Sequence, residues 1–239
     1  MAFAPVNKGT VQGLLRTYLQ NQHLVEQFKN QILGCLSAST ELMDNVHSVK
    51  SRLKDPKHLS DKLRRKISKC KKENRAFDIS TENLLTKVTD LAGVRILHLH
   101  TRQIADIDKQ LRAIFSEQRI SLVEAPFART WDDESREFIK KLGIETQDSP
   151  SLYTSVHYVV GSNSRTTVTC EIQVRTLMEE VWGEVDHKIN YPKTTKSVAC
   201  REQLKVLARV TSSASRLVDS IFVTLDDHDK LAAKKLRRR

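Results

Sequence analysis

The segment CEIQVRTLMEEVWGEVDHKINY, from Cys170 to Tyr191, changes its hydrophobic period in the middle, which commits the chain to a strand that runs directly into a helix. From Thr166 to Val174 apolar and polar residues alternate. Val168, Cys170, Ile172 and Val174 share one face, and Thr169, Glu171 and Gln173 the other. Glu171 therefore points away from the core. Beyond Arg175 the spacing is helical: Met178 and Trp182 lie four apart, as do Val181 and Val185, and Glu179, Glu180, Glu184 and Asp186 fill the other faces. Such units build α/β domains, and an outward carboxylate on the strand is a candidate ligand for a hard cation.

A glutamate on the open face of a strand is ordinarily only solubilising. A second carboxylate makes the metal reading concrete. Val88 to Leu97, VTDLAGVRIL, is a β-branched stretch predicted as another strand, with Asp90 near its start and Gly93 permitting close backbone approach. Magnesium on a nucleotide commonly takes one or two protein carboxylates and fills its other positions with phosphate oxygens and water. Asp90 and Glu171 would suffice for Mg²⁺.

Positive charge is unevenly placed. Between Lys50 and Arg75 twelve lysines and arginines face three acids, and six of the last ten residues are basic, so two basic blocks sit on a mildly acidic body within a net charge of +11. The Lys66 to Lys72 stretch reads equally well as a solvated helix face. Arg52, Lys54 and Lys62 differ, because they surround the break KDPKHL, where charges converge on one point instead of radiating from a helix. Polyphosphate suits such a cluster, with arginine giving forked contacts and lysine a point charge.

A chain of 239 residues, 39% of them hydrophobic, can bury a full core as one large domain with helical additions. No apolar run approaches the ~18 residues that span a bilayer, and MAFAPVNKGT lacks a basic region followed by an apolar stretch and a cleavage site, so a cytoplasmic protein without membrane contact is expected. Cys35, Cys70, Cys170 and Cys200 show neither CxxC nor Cys/His finger spacing and read as reduced structural thiols, not as a zinc site.

Helical spacing covers Val11 to Ser37, through Leu14, Tyr18, Val25, Phe28 and Ile32, and a second helix is predicted from Leu42 to Leu53. Ile104 to Ser116 is an amphipathic helix, Ile120 to Ala125 a short strand, and a further helix lies around Ser135 to Leu142. Tyr153 to Val160 is a strand after the turn-like DSPS. The tail from Ala199 to Leu225 is predicted to pack Leu204, Leu207, Val210, Leu217 and Ile221.

Three ordered blocks, VTDLAGVRI, YTSVH, and EIQVRT followed by WGEVDHKINY, resemble the synthetase domain of the RelA/SpoT superfamily, enzymes that move pyrophosphate from ATP onto a ribose 3′-hydroxyl of a guanine nucleotide. The resemblance runs from about Val46 to Tyr191. Without the hydrolase and regulatory domains of the long members, the chain is similar to the small alarmone synthetases and their toxic relatives. This implies an α/β fold, a mixed sheet of about five strands flanked by helices in the nucleotidyltransferase-like arrangement, with N- and C-terminal helical extensions. The corresponding divisions are 1–45, 46–191 and 192–239, the last ending in the basic tail.

The resemblance also implies roles. Arg52, Lys54 and Lys62 match residues that hold the phosphates of ATP. Asp90 and Glu171 match the catalytic, Mg²⁺-binding carboxylates, Glu171 also activating the acceptor hydroxyl. Tyr153 matches the residue that stacks on the acceptor base of GDP or GTP, with His157 nearby in the same loop and strand, and Arg175 of the EIQVR block is a secondary acceptor-side candidate, phosphate-binding or structural. The loop DSPSLY departs from the pattern, with Leu152 in place of the usual glycine and no adjacent lysine. That departure keeps a second reading open, a toxic synthetase that pyrophosphorylates the tRNA 3′-CCA end or adenine nucleotides, for which the basic blocks suit an RNA backbone. A third, a catalytically silent nucleotide- or RNA-binding module, fits poorly with both carboxylates, the tyrosine and the cations being present together. Small relatives often form homo-oligomers through terminal helices, a role the amphipathic tail suits as well as it suits packing on its own sheet, and whether an antitoxin or activating domain partners the chain stays open at this point.

Overall fold

The computed structural model describes residues 8–191 and 194–236; the first seven residues and the last three, including the end of the basic tail, lie outside the described residues. In chain order the elements are α1 (Lys8–Ala38), α2 (Thr40–Met43), β1 (Ser48–Leu53), α3 (Pro56–Lys72), α4 (Leu84–Lys87), β2 (Ala92–His98), α5 (Gln103–Glu117), β3 (Ser121–Leu122), β4 (Phe127–Thr130), α6 (Asp133–Lys141), β5 (Glu145–Asp148), β6 (Ser155–Gly161), β7 (Thr169–Thr176), α7 (Leu177–Asn190) and α8 (Val198–Leu236). Among the described residues seven strands form one sheet in the order β1-β2-β7-β6-β4-β5, with β3 also on β6. It is mixed: β2 with β7 and β4 with β5 run parallel, the other pairs antiparallel.

Register turns the period-two pattern into two rows across the open face. Arg52 pairs with Gly93, Gly93 with Glu171, and Glu171 with Val159. One step along, Lys50, Arg95, Gln173, His157 and Phe127 follow one another from β1 to β4. Residues that share a row share a face, so charged and aromatic side chains gather there. The other face is apolar. Val94, Ile96, Ile172, Val174, Val156 and Tyr158 are buried in the core, where α1 packs on β2 and β7. Each such side chain stabilises the fold by about 1.5–3 kcal/mol.

The helical segment within 1–45 contributes Val11, Leu14, Tyr18, Val25, Phe28, Ile32 and Leu36 to that same core. Tyr18 donates its hydroxyl to the carbonyl of Lys54 at 2.6 Å, so α1 fixes the end of β1. The KDP break is a helix start. Asp55 caps α3 by accepting the N–H groups of Lys57 and His58 at 2.9 and 3.0 Å, and Pro56 occupies the first turn.

Three local expectations need correction. The segment from Leu42 to Leu53 is not one helix: α2 ends at Met43, and Ser48–Leu53 pairs with β2. Leu42, Val46, Val49 and Leu53 fit helical spacing, but Val49, Ser51 and Leu53 also alternate, and the unpaired edge of β2 decides between the periods. The second predicted strand begins at Ala92, leaving Asp90 in the turn after α4. On α8, Leu204 is buried as expected, but Val210, Leu217 and Ile221 are exposed, and Ala208, Thr211, Ser212 and Ser215 face inward instead. Small residues let α8 approach closely, and Trp182 of α7 donates its indole N–H to the Leu204 carbonyl at 3.1 Å. Among the described residues no helix is long and apolar enough to cross a membrane, and the four cysteines are free.

Candidate active site

Two clefts open on the charged face and meet at a common wall. The smaller, about 250 Å³, is lined by Lys50, Ser51, Arg52, Gly93, Glu184 and His187. The larger, about 910 Å³, is lined by Lys62, Lys66, Phe127, Arg129, Tyr153, His157 and Arg175. Asp90, Arg95, Glu171 and Gln173 line both. Both predicted carboxylates therefore stand where the two clefts join.

Asp90 is held by two lysines. Lys54 Nζ lies 2.7 Å from Oδ2 and Lys62 Nζ 2.6 Å from Oδ1, one from the end of β1 and one from α3. Burial alone would raise the carboxyl pKa, but the two ammonium groups outweigh it and hold Asp90 at about 2. Burial pulls Lys54 below the ordinary lysine value, with Asp90 opposing. The basic trio thus divides: Arg52 lines the smaller cleft, Lys62 the larger, and Lys54 stands behind Asp90. At Gly93 the approaching group is a side chain, not backbone, because an added Cβ would meet Arg52 Cγ at 3.6 Å.

Glu171 is held by a histidine and a glutamine. His157 Nδ1 contacts Oε1 at 3.1 Å, and Gln173 Nε2 donates to Oε2 at 3.1 Å. A carboxylate only accepts, so Nδ1 carries a proton. Burial raises the Glu171 pKa and His157 lowers it, the net direction being down, with the Asp90 charge opposing that fall. His157 Nε2 is buried with no partner among the described residues, and the ring stacks on Phe127 at 5.1 Å between centroids.

Tyr153 precedes β6 in a half-buried loop. Its ring lies 6.2 Å from His157 and 6.1 Å from Trp182, and the Arg175 guanidinium sits 5.4 Å over it while donating to its hydroxyl at 3.3 Å. Burial raises the phenol pKa and Arg175 opposes it. Arg175 is itself buried in an ion pair with Glu180. Leu152 has φ 58°, the left-handed region that a leucine rarely adopts.

Glu179 and Glu180 are not on solvated faces: both are buried, at 6% and 5% exposure. Nor did sequence reasoning single out Lys50, Arg95, Gln173, Phe127 or Arg129. Period-two alternation from Arg52 and Glu171 was the available signal, since Lys50, Arg95, Gln173 and Phe127 occupy the next row and Arg129 lies two residues beyond Phe127.

Residues 51–196 match the model of the region found in RelA / SpoT proteins. The chain belongs to the RelA/SpoT family. GTP pyrophosphokinase YwaC of Bacillus subtilis (strain 168) is 26% identical over 151 residues, covering 61% of this chain and 59% of that protein. Small alarmone synthetase 1 from Bacillus subtilis, solved bound to its product pppGpp, superposes with TM-score 0.58 at 20% identity, over 88% of this chain and 97% of that one. The same synthetase bound to AMPCPP gives 0.56 at 18% identity, over 89% and 97%. This RelA/SpoT chain thus has the small-synthetase fold: a mixed sheet flanked by helices, with helical regions at both ends.

Proposed function

We propose that this chain is a pyrophosphokinase that transfers the β,γ-pyrophosphate of ATP to the 3′-hydroxyl of GDP or GTP, making (p)ppGpp in the cytoplasm. One observation carries the reading: a cation-lined cleft and an aromatic-lined cleft share a wall that holds both carboxylates. The names of the relatives, a GTP pyrophosphokinase and a synthetase bound to pppGpp or AMPCPP, support it.

ATP occupies the smaller cleft, its phosphates toward Arg52, Lys50 and Arg95, and the acceptor the larger one, its base on Tyr153. The acceptor oxygen attacks the β-phosphorus in line, a new O–P bond forms, the bond between the α,β-bridging oxygen and the β-phosphorus breaks, and AMP leaves. Glu171 takes the hydroxyl proton, oriented for it by His157 and Gln173. Such transfer needs positioning and charge neutralisation more than covalent chemistry from the protein. Asp90 and Glu171 fit Mg²⁺: two hard oxygen donors lining both clefts, with the Asp90 charge felt at Glu171, and without a third His, Cys, Asp or Glu among the described residues to complete an all-protein cage. The ion would neutralise phosphate charge.

An RNA acceptor has one observation in its favour. Lys62 and Lys66 in the larger cleft lie on the same helix as exposed Arg65, Lys69 and Lys72, a basic track leading out of the site. Incubation with γ-labelled ATP and GDP, GTP, AMP or deacylated tRNA separates the readings. Label on GDP or GTP is the expected result. Label confined to tRNA or adenine nucleotides supports the toxic-synthetase reading, and charge reversal at Lys69, Lys71 and Lys72 would then weaken and flatten the salt dependence. No transfer to any acceptor leaves the binding-module reading.

A further inference from the structure

We infer that the first turn of α7 is the element that aligns donor and acceptor, with Glu180 positioning the cations of the smaller cleft and Glu179 positioning the Tyr153 loop. The inference rests on the two-cleft reading above and adds two positioning residues to it.

Glu180 receives side chains from three strands. Lys50 of β1 lies 2.9 Å from Oε1, Arg95 of β2 lies 3.3 Å from the same oxygen, and Arg175 of β7 pairs with Oε2. Lys50 and Arg95 are direct cross-strand partners, and like charges in that relation repel. Both line the smaller cleft, so the buried carboxylate behind them lets two cations stand side by side facing one anion. Arg95 is braced again by Glu184, one turn further along α7, at 2.7 Å. Gly183 completes the arrangement: a Cβ there would lie 2.9 Å from Arg175 Nη1, too close for the guanidinium to keep its place.

Glu179 faces elsewhere. Its Oε2 accepts the backbone N–H of Thr154 at 3.2 Å, the residue after Tyr153. Its own N–H is donated to Thr176, which caps the helix, so carboxylate and helix start are one rigid unit. The loop needs external support, because Leu152 stands at φ 58°. Ser149 Oγ accepts the Tyr153 N–H at 3.0 Å from one side, and Glu179 holds Thr154 from the other. Adjacent positions on one helical turn thus reach opposite substrates.

The two residues act differently, which gives a test that a merely structural role would not satisfy. Glu180 acts by charge and Glu179 as a hydrogen-bond acceptor. In the full chain, Glu180→Gln should raise the KM for ATP about tenfold and the acceptor KM by less, because its third partner, Arg175, lines the larger cleft and donates to Tyr153. Glu179→Leu should do the reverse, and Glu179→Gln, which keeps an acceptor oxygen, should restore the acceptor KM to within about twofold of the wild type. Should Glu180→Gln fail to fold, Glu180→Asp keeps a charge for Arg175 but ends one methylene short, and the same direction is expected. Arg52→Ala and Tyr153→Ala serve as references. If those two exchange substrates, the cleft assignment falls, while the inference stands so long as Glu180 follows Arg52 and Glu179 follows Tyr153. Both variants acting chiefly on the same KM, loss of kcat alone in each, or no rescue by Glu179→Gln would overturn it.

Discussion

Two pairs of carboxylates lie on this structure, and their surroundings differ. Asp90 and Glu171 stand on the wall between the clefts, each partly open to them, and each is driven toward ionisation by its neighbours. Glu179 and Glu180 lie behind, both buried, and they diverge: burial raises both, but Lys50, Arg175 and Arg95 together outweigh it and bring Glu180 down, whereas Glu179 is pushed up to about 7. The front pair lines the clefts, and the back pair's oxygens meet protein groups: Lys50, Arg95 and Arg175 at Glu180, the Thr154 N–H at Glu179. A carboxylate's role here follows from what faces it, since all four are offered by the same strand-and-helix framework.

The largest effect should come from breaking the front pair. Asp90→Asn and Glu171→Gln are each expected to lower transfer by at least about 10³-fold with the fold retained, because each removes a charge at the reacting groups and neither removes core volume. Steady-state rates at saturating Mg²⁺, with circular dichroism alongside, check this. Turnover near wild type in either variant would take that residue out of the chemistry.

A smaller effect separates the clefts. Losing the stacking surface in Tyr153→Ala should weaken acceptor use about 10–100-fold, as base stacking is worth about 1–3 kcal/mol, while ATP use stays close to wild type. Arg52→Ala should reverse that pattern. Tyr153→Ala acting on ATP affinity alone would exchange the two cleft assignments.

The front pair was legible in the sequence and the back pair was not. Glu171 announces itself through strict alternation, and Asp90 precedes an apolar run bounded by Gly93. Convergence of Lys54 and Lys62 could be anticipated from the KDP break, because a cap and a proline force the chain to turn there. Glu179 and Glu180 occupy positions that helical periodicity gives to solvent. Only the packing of α7 over the ends of β1, β2 and β7 brings Lys50, Arg95 and Arg175 to Glu180, and those contacts span 130, 85 and 5 residues of chain. The same limit misassigned α8: TSSAS reads as an exposed stretch, yet Ser212 and Ser215 are buried and Leu217 is 64% exposed. Periodicity identifies a face but not what covers it, and small polar residues can form the covered one.

The smallest effect concerns stability and sharpens the contrast within the back pair. Burial raises Glu179 from the ordinary glutamate value of 4.5 to about 7, Thr154 N–H and Arg175 oppose that rise, and nearby Asp132 adds to it. A carboxyl with a raised folded-state pKa contributes its stability below the unfolded value and loses it as pH climbs through the folded one, here between about 4.5 and about 7. At most about 3 kcal/mol is at stake. Glu179→Gln keeps the shape and the acceptor oxygen but has no proton to lose, so its melting temperature should fall less than that of the wild type between pH 5 and pH 8, by roughly a few degrees. Titrations common to both proteins cancel in the difference. Parallel melting curves across that range would show that Glu179 is ionised throughout, and would place it with Glu180 instead of opposite it.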